Sequence, residues 1–134
     1  MAIWGIGAYY KGKDKNDKTE DFLTKKCAYV GWSEDEAPAL HRMLDSVKIG
    51  DIIFIKGFYP RLKKLSIKAV GIVTDTKKQI DGLGTGVKVK WKEDFNPFSV
   101  IITSEIYRNN VFNNTLYEEF NKSISEKLIE ALLS

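Results

Sequence analysis

The sequence predicts an α+β fold in which a small mixed or antiparallel β-barrel carries flanking helices. Its 134 residues match the usual size of one domain, and neither a repeat nor a change of composition divides residues 1–134. Short apolar runs of strand length alternate with turn residues along most of the chain. The connections between these runs are too short for repeated βαβ crossovers, and two segments carry helix-start signals. These three observations favour a single barrel-like domain.

The first half of the chain contains three predicted elements. Residues 3–10 are apolar, aromatic and punctuated by glycine, which suits an opening strand buried on both faces. Residues 27–32 form a second apolar run and a second expected strand. Ser33 and Glu36 have the spacing of a capping box, so we expect a helix over residues 33–47.

The second half of the chain predicts four strands. Residues 52–56 are its most apolar run, and residues 65–73 form another strand that Thr74 and Asp75 interrupt. In residues 87–91, valine and tryptophan alternate with lysine, which predicts one buried and one solvated face. A further short strand is expected over residues 100–107.

The C-terminal segment predicts the clearest helix. Thr115 and Glu118 have the spacing of a second capping box. Apolar residues then recur at helical spacing on one face: Leu116, Phe120, Ile124, Leu128 and Leu132. We therefore expect this helix to pack on the sheet and close the domain.

Composition argues against several classes of function. Cys27 is the only cysteine and His41 the only histidine, so neither a disulfide, a thiolate metal cluster nor a His-rich metal site can form within one chain. Cys27, in a predicted strand, is better suited to the core than to catalysis, and His41, on a predicted helix, is better suited to the surface or to packing. The chain has no export signal and no run of about 18 apolar residues. We expect a cytoplasmic protein without membrane contact, metal, cofactor or catalytic residue.

Basic and aromatic side chains are the remaining candidates for a binding site. The net charge is mildly positive, 21 − 18 = +3, which permits nucleic acid or an anionic nucleotide as a partner. If neighbouring strands align them, one set of basic residues would form a surface for phosphates; the alternative is that they are ordinary solvated side chains. The set is Arg61, Lys63, Lys64, Lys68, Lys88 and Lys90. Aromatic residues at strand ends can in turn stack on a base.

Five short motifs follow one another in a fixed order along the chain. They span residues 3–91, and their order is more specific than any single motif. They are Trp4-Gly5-Ile6-Gly7, Gly31-Trp32, Lys48-Ile49-Gly50-Asp51-Ile52-Ile53, Ala69-Val70-Gly71-Ile72-Val73 and Val87-Lys88-Val89-Lys90-Trp91. In this order the motifs resemble the EVE-like branch of the PUA-like superfamily. The resemblance implies a small PUA-like barrel, related to YTH and ASCH domains and to the N-terminal base readers of modification-dependent restriction systems.

The resemblance also implies a pocket that holds a flipped, often modified base between aromatic walls. Trp32 matches the position of a pocket aromatic, and the strand over residues 52–57 would supply another wall. Asp51 can accept a hydrogen bond from an exocyclic amine, although its commoner role is to bond the amides of its own turn. The other expected ligand contacts are Tyr9, Phe54, Lys56 and Phe58.

Several functions remain open at this point. The leading hypothesis is a non-catalytic module that recognises a base in RNA or DNA, with any effector protein acting in trans. A second is a protein that sequesters free nucleotides or nucleotide-derived signals in the same pocket. A third is a nucleotide hydrolase of ASCH-like type, with acid and base work by Asp51, Lys56 or Tyr59. A structural or protein-binding role is a fourth, and the sequence leaves the oligomeric state undetermined.

Overall fold

The computed structural model describes residues 1–10, 16–80, 82–104, 106 and 114–134, with only the backbone of Tyr10 and Asn16. It has the predicted α+β class. The described strands are β1 (Ile3–Gly7), β2 (Tyr9–Tyr10), β3 (Asn16–Asp17), β4 (Cys27–Val30), β5 (Ile52–Tyr59), β6 (Lys64–Ile80), β7 (Gly84–Trp91), β8 (Phe98–Ile101) and β9 (Leu116–Glu118). The described helices are α1 (Thr19–Lys25), α2 (Pro38–Asp45) and α3 (Lys122–Leu133), with a 3₁₀ turn at Pro60–Leu62.

One mixed sheet forms the body of the fold. Its strands follow the order β4, β7, β6, β5, β1, β9, and β8 pairs with the start of β6. Only β1 and β5 are parallel, while the other pairs are antiparallel. The sheet curls into a half-barrel whose path ends at β4 and β9. The short β2 and β3 strands pair separately.

The long strand β6 is responsible for much of the curl. Its first part pairs with β5 and β8 and its second part with β7. Register shifts occur between Ile55 and Lys56 on β5, and on either side of Asp75 on β6. Such irregularities bend a strand and increase its twist. The predicted break at Thr74 and Asp75 is therefore wrong, because the chain bends there without leaving the sheet.

The two faces of the sheet carry separate hydrophobic clusters. The inner cluster joins β1, β4, β6 and β7 to Phe22 of α1 and Leu44 of α2. The outer cluster joins β5, β8 and β9 to Ile124 and Leu128 of α3. Because both faces of β1 are covered, Ile3 to Ile6 are all buried, as the sequence predicts. The alternation in β7 is also confirmed, with its valines and Trp91 buried.

Helix α2 begins later than predicted. The capping box forms, since Ser33 and Glu36 exchange hydrogen bonds of 3.0 and 3.2 Å, but it closes a turn ahead of the helix. Pro38 then starts the helix, and Ala37 before it has an extended φ of −141°. The ring of a proline disfavours the helical conformation of the preceding residue, so the turn cannot run directly into α2.

The C-terminal helix also begins later than predicted, and the predicted capping box at Thr115 and Glu118 is wrong. Leu116–Glu118 is strand β9, which pairs with β1 and buries alternate residues in the two clusters. Helix α3 begins after Asn121, whose Oδ1 accepts a hydrogen bond of 3.0 Å from the amide of Ile124. Phe120, expected on the packed face, is 77% exposed.

The strand expected over residues 100–107 occupies Phe98–Ile101, and most of residues 105–113 lie outside the described part of the chain. Among the helices in the described ranges, none combines the length and the apolar character needed to cross a membrane.

Candidate functional site

A cavity of about 810 Å³ lies where the ends of several inner strands meet. This volume falls within the range that small-molecule sites usually occupy. Small residues and backbone form part of its wall, at Gly7, Gly31, Gly57 and Thr115. Aromatic rings form a second part, from Tyr9, Trp32, Phe58 and Tyr59. Charged groups complete it, from Asp17, Glu36, Lys56 and Lys68.

The aromatic side chains around this cavity are unusually open to solvent. Tyr9 and Trp32 are each 55% exposed and Tyr59 is 46% exposed, while Phe58 is half-buried. Tyr9 lies in the short strand β2, and Phe58 and Tyr59 end β5, whereas Trp32 lies two residues after the end of β4. Ring surface that the fold leaves uncovered is available to a flat ligand.

Trp32 is held in place by the only histidine. His41, on α2, is buried, and its Nε2 lies 2.7 Å from the main-chain oxygen of Trp32. Because a carbonyl only accepts, Nε2 carries the proton and donates. Sequence reasoning assigned His41 to surface or packing and missed this contact. Its position nine residues after Trp32, on the helix that follows, was the available signal.

Lys56 places a buried amine in the cavity wall. It is 8% exposed, and burial, aided by the positive charge of Lys68, lowers the pKa of its amine from 10.5 to about 8. Its Nζ lies 5.7 Å from the centre of the Tyr117 ring, within range of a cation–π interaction. A Cβ at Gly7 would lie 3.7 Å from Lys56 Nζ, which is an ordinary van der Waals distance, so the burial of the lysine does not require a glycine there.

An ion pair lies beside Lys56. Lys68 Nζ donates to Asp17 Oδ2 at 2.9 Å, and the amide and hydroxyl of Thr19 both donate to Asp17 Oδ1. Burial alone would raise the pKa of Asp17, but these hydrogen bonds outweigh it and hold the pKa below its usual value. Hydrogen bonds from Ser33 likewise lower the pKa of Glu36, on the Trp32 side of the cavity. The wall thus presents charges of both signs.

Four of the six expected ligand contacts line this cavity together: Trp32, Tyr9, Lys56 and Phe58. Phe54 lies elsewhere, fully buried in the outer cluster, with its ring centre 6.1 Å from that of Tyr117. The sheet's alternation explains this, because Phe54 points away from the inner face that Ile53 and Ile55 occupy.

Asp51 has a structural position. Its carboxylate accepts hydrogen bonds from the amide of Ala2 at 3.1 Å, the indole of Trp4 at 3.0 Å and the amide of Lys48 at 2.9 Å. Burial would raise the pKa of Asp51, but these donors lower it overall. The residue ties β1 to the turn before β5, and it does not line the cavity with Lys56 and Tyr59.

The six basic residues lie on separate parts of the sheet. Lys68 lines the cavity and Lys64 begins the same strand, while Arg61 and Lys63 lie in and just after the 3₁₀ turn. Two others lie on β7, alternating with residues of the inner cluster and so facing away from it: Lys88 and Lys90.

A second cavity, of about 490 Å³, adjoins the first. Trp32, Glu36 and Thr115 line both cavities. The other walls are apolar side chains of α2 and β9 together with one amide, from Ala37, Ala39, Leu40, Met43, Leu116 and Asn114.

Metal ligation and thiol chemistry find little support in the described ranges. They contain no group of three or more histidine, cysteine, aspartate or glutamate side chains that could hold a metal ion. Cys27 is buried in the inner cluster, as predicted, and burial raises the pKa of its thiol. A raised pKa keeps the thiol protonated and unreactive.

No family model matches this chain, and no curated protein matches it. The resemblance to EVE-like domains therefore stays a prediction from the motifs.

Proposed function

We propose that this chain is a non-catalytic, EVE-like module of the PUA-like superfamily that binds a base of RNA or DNA, including a modified base, in the cavity around Trp32. The observation that carries the proposal is the set of three exposed rings around one cavity, from Tyr9, Trp32 and Tyr59, with the half-buried ring of Phe58 beside them. Aromatic stacking contributes about 1–3 kcal/mol per base. Two such contacts offset the few kcal/mol needed to take a base from its stack.

The charges of the cavity suit the two ends of a nucleotide. Glu36, beside Trp32, is an ionised carboxylate and can accept hydrogen bonds from the exocyclic amines of adenine, cytosine or guanine. Lys56 and Lys68 supply ammonium groups for a phosphate. The combination of rings, carboxylate and ammonium groups favours a nucleotide over a purely apolar ligand.

A second candidate is the sequestering of free nucleotides or nucleotide-derived signals. The burial of Lys56 favours this candidate, because a buried amine in the cavity wall suits the terminal phosphate of a free nucleotide whose base binds in the same cavity. Salt distinguishes the two candidates. Binding to a polynucleotide weakens steeply with salt through counterion release, whereas the capture of one nucleotide depends on salt far less.

The decisive experiment compares Trp32→Ala with Phe120→Ala in binding to single-stranded RNA and DNA pools across a salt series. Phe120 is also an exposed ring, and it lies outside both cavities. We expect Trp32→Ala to abolish binding with an unchanged circular dichroism spectrum and Phe120→Ala to bind as the wild type does. Equal affinity of the two variants would reject this cavity as the site. Turnover of a nucleotide in a parallel hydrolysis screen would reject the non-catalytic assignment.

A further inference from the structure

Trp32 belongs to the walls of two adjoining cavities. It lines the cavity of about 810 Å³ with Lys56 and Lys68, and it lines the cavity of about 490 Å³ with Leu40 and Met43 of α2. The main chain of Trp32 is fixed by His41, yet the residue is 55% exposed. A residue with a fixed main chain that lines two cavities can contact a ligand group in each of them.

The second cavity has a different chemistry from the first. Among the described residues that line it are the apolar side chains of Leu40, Met43 and Leu116 but no lysine or arginine. The ammonium groups of Lys56 and Lys68 line only the larger cavity. A flat, apolar ring with a polar edge fits the second cavity better than a phosphate does.

We propose that the ligand spans both cavities as two consecutive nucleotides, with Trp32 between their bases. This inference rests on the proposed function and narrows its ligand class from one nucleotide to a dinucleotide step. A side chain inserted between neighbouring bases is an established way of separating them. Trp32 supplies an exposed ring, a main-chain oxygen held by His41 and a place in the lining of both cavities, which this arrangement requires.

Glu36 sets the orientation of this ligand. It lines both cavities, and its carboxylate repels phosphates while accepting hydrogen bonds from base amines. The base edges therefore face Glu36. The phosphate of the nucleotide in the larger cavity faces Lys56 and Lys68.

The test is a calorimetric titration of the full chain with the four mononucleotides, all dinucleotides and a longer strand that contains the tightest dinucleotide. Since one added stack is worth about tenfold or more in affinity, we expect at least one dinucleotide to bind about tenfold more tightly than either of its mononucleotides. Equal affinity for mononucleotides and dinucleotides would overturn the two-nucleotide ligand and leave the proposed function standing. Failure of every nucleotide and strand to bind would overturn the proposed function itself.

Ala39→Leu provides the matched test of the second cavity. Ala39 is an exposed residue of α2 that lines only this cavity, so the larger side chain narrows it without entering a core. We expect the variant to lower dinucleotide affinity to that of the mononucleotide and leave mononucleotide affinity unchanged. Ser46→Leu, at an exposed position outside both cavities, should change neither. If Ala39→Leu binds the dinucleotide as tightly as the wild type does, the inference is overturned. If the wild type binds the longer strand more weakly than the dinucleotide, the ligand is a free dinucleotide.

Discussion

Replacing Lys56 by methionine removes a buried ammonium group while keeping most of its apolar stem. Burial, aided by Lys68, lowers the pKa of the amine from 10.5 to about 8. Because a tenfold change in proton affinity corresponds to about 1.4 kcal/mol, the charged amine lowers the free energy of unfolding at neutral pH by about 3 kcal/mol. The cation–π contact with Tyr117 returns about 0.5–2 kcal/mol of this. We therefore expect Lys56→Met to raise the free energy of unfolding by about 1–3 kcal/mol at pH 7.

The difference in stability between the wild type and Lys56→Met depends on pH in a defined direction. Below pH 8 the amine is protonated in both the folded and the unfolded chain, so the advantage of the variant is constant. Between pH 8 and 10.5 the folded wild type has released the proton that the unfolded chain still holds, and its stability rises with pH relative to the variant. Above pH 10.5 the amine is neutral in both states, so the difference due to its charge is gone.

Urea unfolding followed by tryptophan fluorescence, from pH 7 to pH 10.5, measures this difference directly. Lys90→Met is the matched control, because Lys90 is exposed and its replacement should change stability by less than about 0.5 kcal/mol. A Lys56→Met variant that is no more stable than the wild type at pH 7 would refute the reasoning, as would a difference that stays constant up to pH 10.5. The same variant should bind nucleotide phosphate more weakly.

Three further changes test other parts of the structure. Gly86→Ala would place a Cβ 2.0 Å from the carbonyl oxygen of Ala28, so we expect urea unfolding to show a free energy of unfolding lower by about 3 kcal/mol or more. Gly57→Ala is the control, because the nearest atoms there belong to side chains, and it should lower the free energy of unfolding by about 1 kcal/mol or less. Asp51→Asn replaces the carboxylate that accepts from three donors, so we expect it to lower the free energy of unfolding by about 2–4 kcal/mol. Because the pKa of Asp51 is lowered in the folded chain, its stabilising effect is present above the usual aspartate pKa and is lost as the pH falls below that value. An acid-unfolding midpoint that the substitution leaves unchanged would contradict this. Glu36→Gln keeps an oxygen that accepts from Ser33 but adds a donating amide group to the side chain. Binding assays should therefore show a smaller difference in affinity between bases that carry an exocyclic amine and uracil or thymine. An unchanged difference would show that Glu36 takes no part in base recognition.

Local patterns in the sequence predict the elements that depend on one face or one turn. The alternation over residues 87–91 predicts β7 and its buried face, and the apolar run over residues 52–56 predicts β5. The resemblance to EVE-like domains implies Trp32 as a pocket aromatic; Trp32 lines the larger cavity, and its role in binding stays a proposal. For these features the information lies within a few residues of the position concerned.

Other features depend on residues far apart in the chain. Leu116–Glu118 becomes a strand because the outer edge of β1 is available to pair with it, which outweighs its helical spacing. Asp51 accepts hydrogen bonds from Ala2 and Trp4, which lie 49 and 47 positions earlier. The buried amine of Lys56 lies 5.7 Å from the centre of the Tyr117 ring, on a strand far along the chain. The alternation of apolar residues and the apolar runs do not predict which residues line a common cavity.

The sequence by itself predicted the α+β class and the places of β1, β4, β5 and β7, because the periodicity of apolar residues is a local property. Only the tertiary structure decided that α2 and α3 begin late, that His41 contacts the main-chain oxygen of Trp32 and that Trp32 lines two cavities. Those outcomes depend on pairing, burial and hydrogen bonding between distant segments, whose free energies exist only once the chain has brought the segments together.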